Sequence, residues 1–569
     1  MRVACWVALL LLILIPRWIS IFTEAINWDE FAMLERVERT LRLGDVVGGG
    51  RPGLVTLILI PFVRDCVDAI TTAVRGRMLW QVFTLSYLCG VYFLVRNWFR
   101  FSRRPESGVL EGAAAVALLG LLPAFVAWSV QIRSDQAALA AAVWGGVCML
   151  SERRSRAILA GLMFGLALLC TQKGLYPIAL CGLLWGSAVL SRREDLSVGC
   201  RGSELVARCA QVIIVCLATA ATIAAYMYLV PSSANLIDSG FVTSAWDDMR
   251  RAHARVGFTV YRTEASQALL HILLFTALII ASCRTIFDRS LQVGHLLVTC
   301  WAILLLGLAI TLVHGSSYQY FLMTAGLFPA VSLGMASGHL AGSLGKSRRA
   351  VIGLALASLI LGTVPVTLEM WRGSQANQRD TTQWIRTSGL NTYGGFQVDG
   401  ALICQEDPDP IPPMSHRLNM RQLSEAETDA FIDEFRRRPV AFVIDADRLG
   451  YFPEKVKQFW TDHYRWYYGS VFVAGFDIRP EATVDSVDVI VPGQYRWIPS
   501  PPHKDAALHV NGNTILAGGG AMLEAGVHRF TSQPAGAGGS LVLAVGTSPG
   551  QRIYPFIDHR QRERLGGVR

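Results

Sequence analysis

A chain of 569 residues is too long for one soluble unit, so at least two domains are expected. Hydrophobic residues make up 52% and charged residues 17%, a membrane-protein balance when the apolar residues fall in long runs, as they do here. The formal charge of +9 does not mark a nucleic-acid binder, because the basic residues cluster between apolar segments, and no nucleic-acid partner is expected.

The first apolar run, VACWVALLLLILIPRWISIF, is not followed by an A-x-A-like cleavage site and reads as a retained membrane helix, with Arg17 near its outer end snorkelling to the interface. Further apolar runs approach the roughly 20 residues that a bilayer crossing needs, at 78–97, 109–130, 134–150, 156–171, 174–190, 207–230, 267–283, 293–313, 318–340 and 349–370. With the first at 3–22, about 11 spans are expected. Alternate loops carry Arg96, Arg100, Arg103 and Arg104, then Arg153, Arg154 and Arg156, then Arg192, Arg193, Arg201 and Arg208, then Arg284 and Arg289, then Lys346, Arg348 and Arg349. Lys and Arg accumulate on the cytoplasmic side. The N-terminus is therefore expected inside and the C-terminal region outside, in a multi-pass protein of a bacterial inner membrane.

Three stretches then face outward: the first loop, 23–77, residues 231–266, and the chain after about 371. In NWDEFAMLERVERTLRLG, Phe31, Leu34, Val37 and Leu41 recur at near-helical spacing, with Glu35, Arg36, Glu38, Arg39 and Arg42 on the other side. This predicts a helix on the membrane surface, N-capped by Asn27 and stopped at Gly44. Adjacent helical residues point about 100° apart, so Asp29 and Glu30 cannot both face one atom. One is expected to do chemistry and the other to organise the site. Helix-dipole stabilisation in a first turn also explains such a pair.

Residues 371–480 read as a small α/β unit: TTQWIRTSG, LSEAETDAFIDEFRRR and PEKVKQFWTDHY as helices, PVAFVIDAD and GSVFVAGFDI as strands. Residues 485–569 read as a β-sandwich-like module, a candidate for sugar binding, with NGN as a tight hairpin signal. The fold class is thus a polytopic α-helical membrane domain, 1–370, with an extracytoplasmic α/β plus β-rich region. Most cysteines fall inside predicted helices; Cys66 and Cys404 lie on the outer side, where they could pair. No metal-ligand spacing is present, and neither a metal nor a cofactor is expected.

With this topology, polar residues from distant segments meet at one face. They are Asp29 and Glu30, Arg133 and Asp135 in QIRSDQ, Lys173 in CTQKGLYP, and His314, Tyr318 and Tyr320 in VHGSSYQYF. The order of a D-E pair after helix one, R-S-D at helix four, K-G after helix five and an outer C-terminal domain resembles the GT-C membrane glycosyltransferases. The likeness is to the protein mannosyltransferase and aminoarabinose transferase group, a family 39-like arrangement, over residues 1–370. RMLWQVFTLSYLCGVYFLVRNWF and FVAWSVQIRSDQAALAAAVWG are similar to that group's second to fourth helices.

The resemblance implies a hexosyl- or pentosyltransferase. Its partners would be the bilayer, a polyprenyl-phosphate sugar donor, and a lipid, glycan or protein acceptor. Asp29 would be the catalytic carboxylate, Glu30 its support, and Lys173 the cation for the leaving phosphate. Arg133, Asp135, His314, Tyr318 and Tyr320 would bind donor or substrate. Arg250, Arg251 and Arg255 could add cations or form a solvated face. Arg51, in GRPGLVTLILIPF, stands where the group often has the His of H-P-P, and SSYQYF replaces an Arg-Tyr pair. Two other classes compete. A transporter or lipid flippase would place ionisable groups near the midplane, where only His271 qualifies. A catalytically inactive, membrane-anchored sugar-binding protein would need only the C-terminal module.

Overall fold

The computed structural model describes residues 2–44, 46, 53–66, 68–102, 108–193, 201–230, 279, 282, 291–314, 321–343, 362–368, 370–371, 375–388, 394–396, 423–444, 452–479 and 484–544. The expected span at 267–283 and most of that at 349–370 lie outside them, as do Arg51, Arg250, Arg251, Arg255, His271 and Cys404.

The N-terminal part is a helical bundle. Its helices are α1 (Arg2–Thr23), α2 (Trp28–Leu43), α3 (Leu54–Arg64), α4 (Ala69–Phe101), α5 (Val109–Gly120), α6 (Pro123–Trp128), α7 (Ser134–Met149) and α8 (Arg154–Cys170). After a 3₁₀ turn (Gln172–Gly174) come α9 (Leu175–Arg193), α10 (Arg201–Leu229), α11 (Leu291–His314), α12 (Leu322–Ala325) and α13 (Leu327–Ser343). Among the described residues, four stretches are long and apolar enough to cross a membrane: Ala69–Phe101, Gln172–Arg192, Ser203–Leu229 and Gly294–Thr311. Shorter apolar helices run at Leu11–Thr23, Leu54–Arg64 and Val109–Gly120. At 1.5 Å per residue, α4 is about 50 Å long, well beyond the roughly 30 Å of a hydrocarbon core.

The expected single span at 109–130 is two helices. Pro123 opens α6, and a proline cannot continue the hydrogen-bond ladder of the turn before it. The carbonyls freed at the break find side chains: Gly120 accepts from Arg17 at 2.8 Å and Leu121 from Thr363 at 2.7 Å. Arg17 therefore does not snorkel. It is wholly buried, donates also to Ser129 Oγ at 2.8 Å and to the Ile13 carbonyl, and lies 5.0 Å from the Phe125 ring centroid. The break supplies the acceptors that draw it inward.

The helix α2 has the predicted caps. Asn27 accepts from the Glu30 N–H at 3.1 Å, the Glu30 carboxylate accepts from the Asn27 N–H at 3.1 Å, and Gly44 closes the helix in the left-handed region, φ 73°. It does not lie free on a surface. It packs on α3, burying Phe31, Leu34, Val37 and also Glu35, while Leu41 is exposed.

The basic ends of the bundle converge. Arg192 pairs with Glu152 at 2.6 Å, and the guanidiniums of Arg192 and Arg208 lie 4.7 and 4.9 Å from the Phe101 ring centroid. The ends of α4, α7, α9 and the start of α10 thus share one side of the bundle, and the α1–α2 connector sits on the other.

The C-terminal region contains α14 (Gln375–Thr387), α15 (Glu425–Arg437) and α16 (Glu454–His463). Its strands are β1 (Gly395–Phe396), β2 (Phe442–Ile444), β3 (Tyr464–Tyr468), β4 (Val471–Ile478), β5 (Asp485–Val489), β6 (Gly493–Pro499), β7 (Ala507–Val510), β8 (Asn513–Ile515), β9 (Gly520–Leu523), β10 (Gly526–Gln533) and β11 (Gly539–Leu543). A seven-stranded sheet runs β1-β2-β4-β11-β6-β9, with β3 also on β4, and a four-stranded sheet runs β5-β10-β7-β8. The NGN hairpin joins β7 to β8, with Asn511 and Gly512 both at positive φ, 48° and 85°. The stretches expected as an α/β unit and a separate β module share one sheet, because β4 pairs with β11.

Candidate active site

The site is organised by the connector between α1 and α2. Arg77, a little over two turns into α4, enters it wholly buried. Its guanidinium donates to the carbonyls of Glu24 (2.8 Å) and Ala25 (2.9 Å) and forks onto Glu30 at 2.8 and 2.7 Å. The Glu30 carboxylate also accepts from the backbone of Ile132 at 3.0 Å, tying α2 to the segment before α7. Glu30 thus receives four hydrogen bonds and is fully shielded.

Its neighbour differs. Asp29 retains 25% of its side-chain exposure and faces Arg133, with Oδ2 2.8 Å from Nη2. The guanidinium of Arg133 also donates to Gln131 at 3.1 Å and lies 4.9 Å from the Trp128 ring centroid, while its carbonyl accepts from Trp80 at 2.6 Å. Two residues on, in the first turn of α7, Asp135 meets Lys173 from the 3₁₀ turn, with Oδ2 3.6 Å from Nζ. Both acids occupy first helical turns, where the helix dipole favours negative charge. Four predicted residues from three distant segments therefore meet at the start of α7: Asp29, Arg133, Asp135 and Lys173.

The segment 129–133 presents Arg133 and Asp135, and its backbone is held from several sides. Gln81 and Thr84 donate to the Ser129 carbonyl at 3.0 and 3.2 Å, and Gln136 donates to the carbonyls of Trp128 (3.1 Å) and Gln131 (2.8 Å). The Gln131 side chain accepts from Asn27 and donates to Glu24 at 3.0 Å. The C-terminal region grips the connector too. Gln375 donates to the carbonyls of Ile21 (3.1 Å) and Glu24 (3.3 Å), and Gln378 exchanges two 2.8 Å hydrogen bonds with the backbone of Ile26.

His314 ends α11, and Tyr318 and Tyr320 lie outside the described residues. Phe321, which follows them, packs on Tyr176 three residues after Lys173, with ring centroids 6.0 Å apart. Sequence reasoning missed Arg77, Glu24, Gln131, Gln375 and Gln378. In RGRMLW, Arg77 looks like an interfacial anchor, and nothing in the sequence ties it to Glu30 47 positions earlier. Among the described residues no group of acidic, histidine or cysteine side chains could hold a metal ion.

No protein-family model matches the sequence, and no curated protein does. Solved structures are similar in fold at low identity. One is an oligosaccharyltransferase of Archaeoglobus fulgidus in complex with zinc and sulfate, at 12% identity and TM-score 0.42, over 81% of this chain and 72% of that one. Another is ArnT of Cupriavidus metallidurans bound to undecaprenyl phosphate, at 14% identity and TM-score 0.43, over 67% and 72%. A third is the arabinofuranosyltransferase AftD of mycobacteria, at 10% identity and TM-score 0.40, over 95% and 62%.

Proposed function

We propose that the protein is an integral membrane glycosyltransferase. It moves a sugar from a polyprenyl-phosphate-linked donor to an acceptor at the extracytoplasmic face, by one inverting displacement. The observation that carries this reading is the meeting of Asp29, Arg133, Asp135 and Lys173 at one end of the bundle. A polyprenyl chain lies in lipid and holds its phosphate at the interface, so the reacting carbon belongs just outside the helices. The partly exposed Asp29 takes the proton of the acceptor hydroxyl as its oxygen attacks the anomeric carbon. The bond from that carbon to the phosphate oxygen breaks, and the leaving phosphate keeps the electron pair. Lys173 and Arg133 are the cations within reach to stabilise it. The gathering of basic loops at the opposite end supports an outward-facing site.

The test is sugar transfer by the purified protein from a prenyl-phosphate sugar. Lys173→Ala is expected to weaken donor use more than acceptor use, and Asp29→Asn to lower turnover by roughly 10²-fold, the scale for losing a positioned acid or base. Transfer by Asp29→Asn at the wild-type rate would sink this assignment. Equal loss of donor and acceptor use in Lys173→Ala, or no loss, would remove Lys173 from the leaving-phosphate role, and no transfer by the wild type would favour the inactive sugar-binding anchor.

A further inference from the structure

A cavity of about 450 Å³ lies between the first turn of α4 and one side of α14. Asp68 and Thr71 line it from α4, and Arg379, Gln383 and Arg386 from α14, with two threonines; among the described residues every lining side chain is polar. Positions 379, 383 and 386 recur at helical spacing and share one side of α14. One turn before Arg379 and Thr382 on the same helix stand Gln375 and Gln378, which hold the α1–α2 connector. The cavity is therefore mounted on the helix that grips the Asp29 segment. Thr71 stands six residues before Arg77, about 9 Å along α4, so the cavity opens about two turns from the Glu30–Arg77 pair.

Its charge balance favours an anion. One oxygen of Asp68 is committed to capping α4, accepting from the Thr71 N–H at 2.8 Å. Arg379 has only a long 3.4 Å contact with Gln375, and neither guanidinium is paired with a carboxylate among the described residues. The rim is braced, because Cys66, two residues from Asp68, is disulfide-bonded. The volume lies in the range of small-ligand sites, but such sites for drug-like or lipidic molecules are lined mostly by hydrophobic and aromatic side chains, and none lines this one among the described residues.

We propose that this cavity is the acceptor subsite of the reaction above, and that it binds an anionic, hydroxyl-rich glycan. This rests on the glycosyltransferase reading and names the acceptor's chemistry. The planar guanidiniums of Arg379 and Arg386 match a carboxylate or phosphate, and the threonines, Gln383 and the second oxygen of Asp68 match sugar hydroxyls. A peptide acceptor with apolar side chains would find no hydrophobic or aromatic residue in the described lining.

The experiment measures equilibrium binding to the full chain in nanodiscs, without turnover. The probes are a uronate trisaccharide, a phosphorylated trisaccharide, their neutral counterpart, an acidic peptide, and a polyprenyl phosphate. Both acidic glycans are expected to bind roughly tenfold or more tightly than the neutral one. The double variant Arg379→Gln/Arg386→Gln, which changes two exposed side chains, is expected to remove that preference while leaving polyprenyl-phosphate binding unchanged. The tighter of the two acidic glycans identifies the anion. No glycan binding by the wild type, equal binding of neutral and acidic glycans, full binding by the double variant, or preference for the acidic peptide each overturns the proposal. Because no transfer is read, failure here is separate from failure of the Lys173 and Asp29 tests.

Discussion

Asp29 and Glu30 are neighbours in the chain but differ in environment, and the difference predicts opposite phenotypes. Glu30 and Arg77 form a wholly buried, bidentate pair. Removing one partner leaves an uncompensated buried charge, a loss of about 3–5 kcal/mol. Arg77→Met is therefore expected to lower the thermal unfolding temperature of the detergent-solubilised protein sharply. Asp29→Asn, at a partly exposed first-turn position, is expected to shift it little, since such an acid contributes about 0.3–1 kcal/mol through the helix dipole. Similar unfolding temperatures for the two variants would contradict the division of labour. Glu35 carries a third prediction. Burial pushes its carboxyl up to about 7, against the opposing pull of Arg39 and Arg36. One of its oxygens is buried with no hydrogen-bond partner among the described residues, and the other is 3.5 Å from Arg39. The folded state holds this proton more tightly than the unfolded one, so stability is lost as pH rises from about 4.5 to about 7. Glu35→Gln is expected to stabilise the protein at pH 8 and to make little difference near pH 4. An equal shift at both values would show that ionisation of Glu35 is not the cause.

Among the elements, those with a strong local signal were legible. The capping box of Asn27 and the left-handed Gly44 bound α2 within a residue of the expected limits, because caps are written in three or four adjacent residues. The hairpin at Asn511 and Gly512 was legible for the same reason. What the sequence concealed was pairing at a distance. Periodicity shows that Phe31 and Leu34 face inward, but not that Glu35 would be buried as well. Arg17 sits where snorkelling is common, and only the break between α5 and α6 makes an inward position satisfiable. The convergence of Asp29, Arg133, Asp135 and Lys173 followed from topology alone, whereas the supports behind them come from side chains without a local motif. Among those supports, Gln378 makes the strongest prediction. Gln378→Leu would strand both backbone groups of Ile26. We expect kcat to fall roughly tenfold to hundredfold, the scale of small misplacements, with the KM for donor little changed, because Lys173 lies on the far side of the site. A rise in donor KM at constant kcat would mean that α14 does not position Asp29.

At the scale of the whole molecule, the α1–α2 connector joins the two halves: Arg77 grips it from the bundle and α14 from the C-terminal region. The strand β11, residues 539–543, lies between β4 and β6; it pairs with residues 475–478 of β4, whereas residues 471–474 carry β2 on one edge and β3 on the opposite one. During synthesis, the early strands therefore wait for a late one. The sheet lacks a central strand until residue 543 has been added, and until then the second half of β4 presents an open edge. A chain ended after Ile478, close to the apparent domain boundary at 480, would keep that edge permanently. We expect such a truncation to be degraded or to aggregate, and supplying residues 484–544 as a separate secreted fragment to restore part of its yield. Stable accumulation of the truncated chain alone would show that the first strands fold without β11. Residues 484–544 are then as much a timer for maturation as a module: the C-terminal sheet cannot close before β11 has been synthesised.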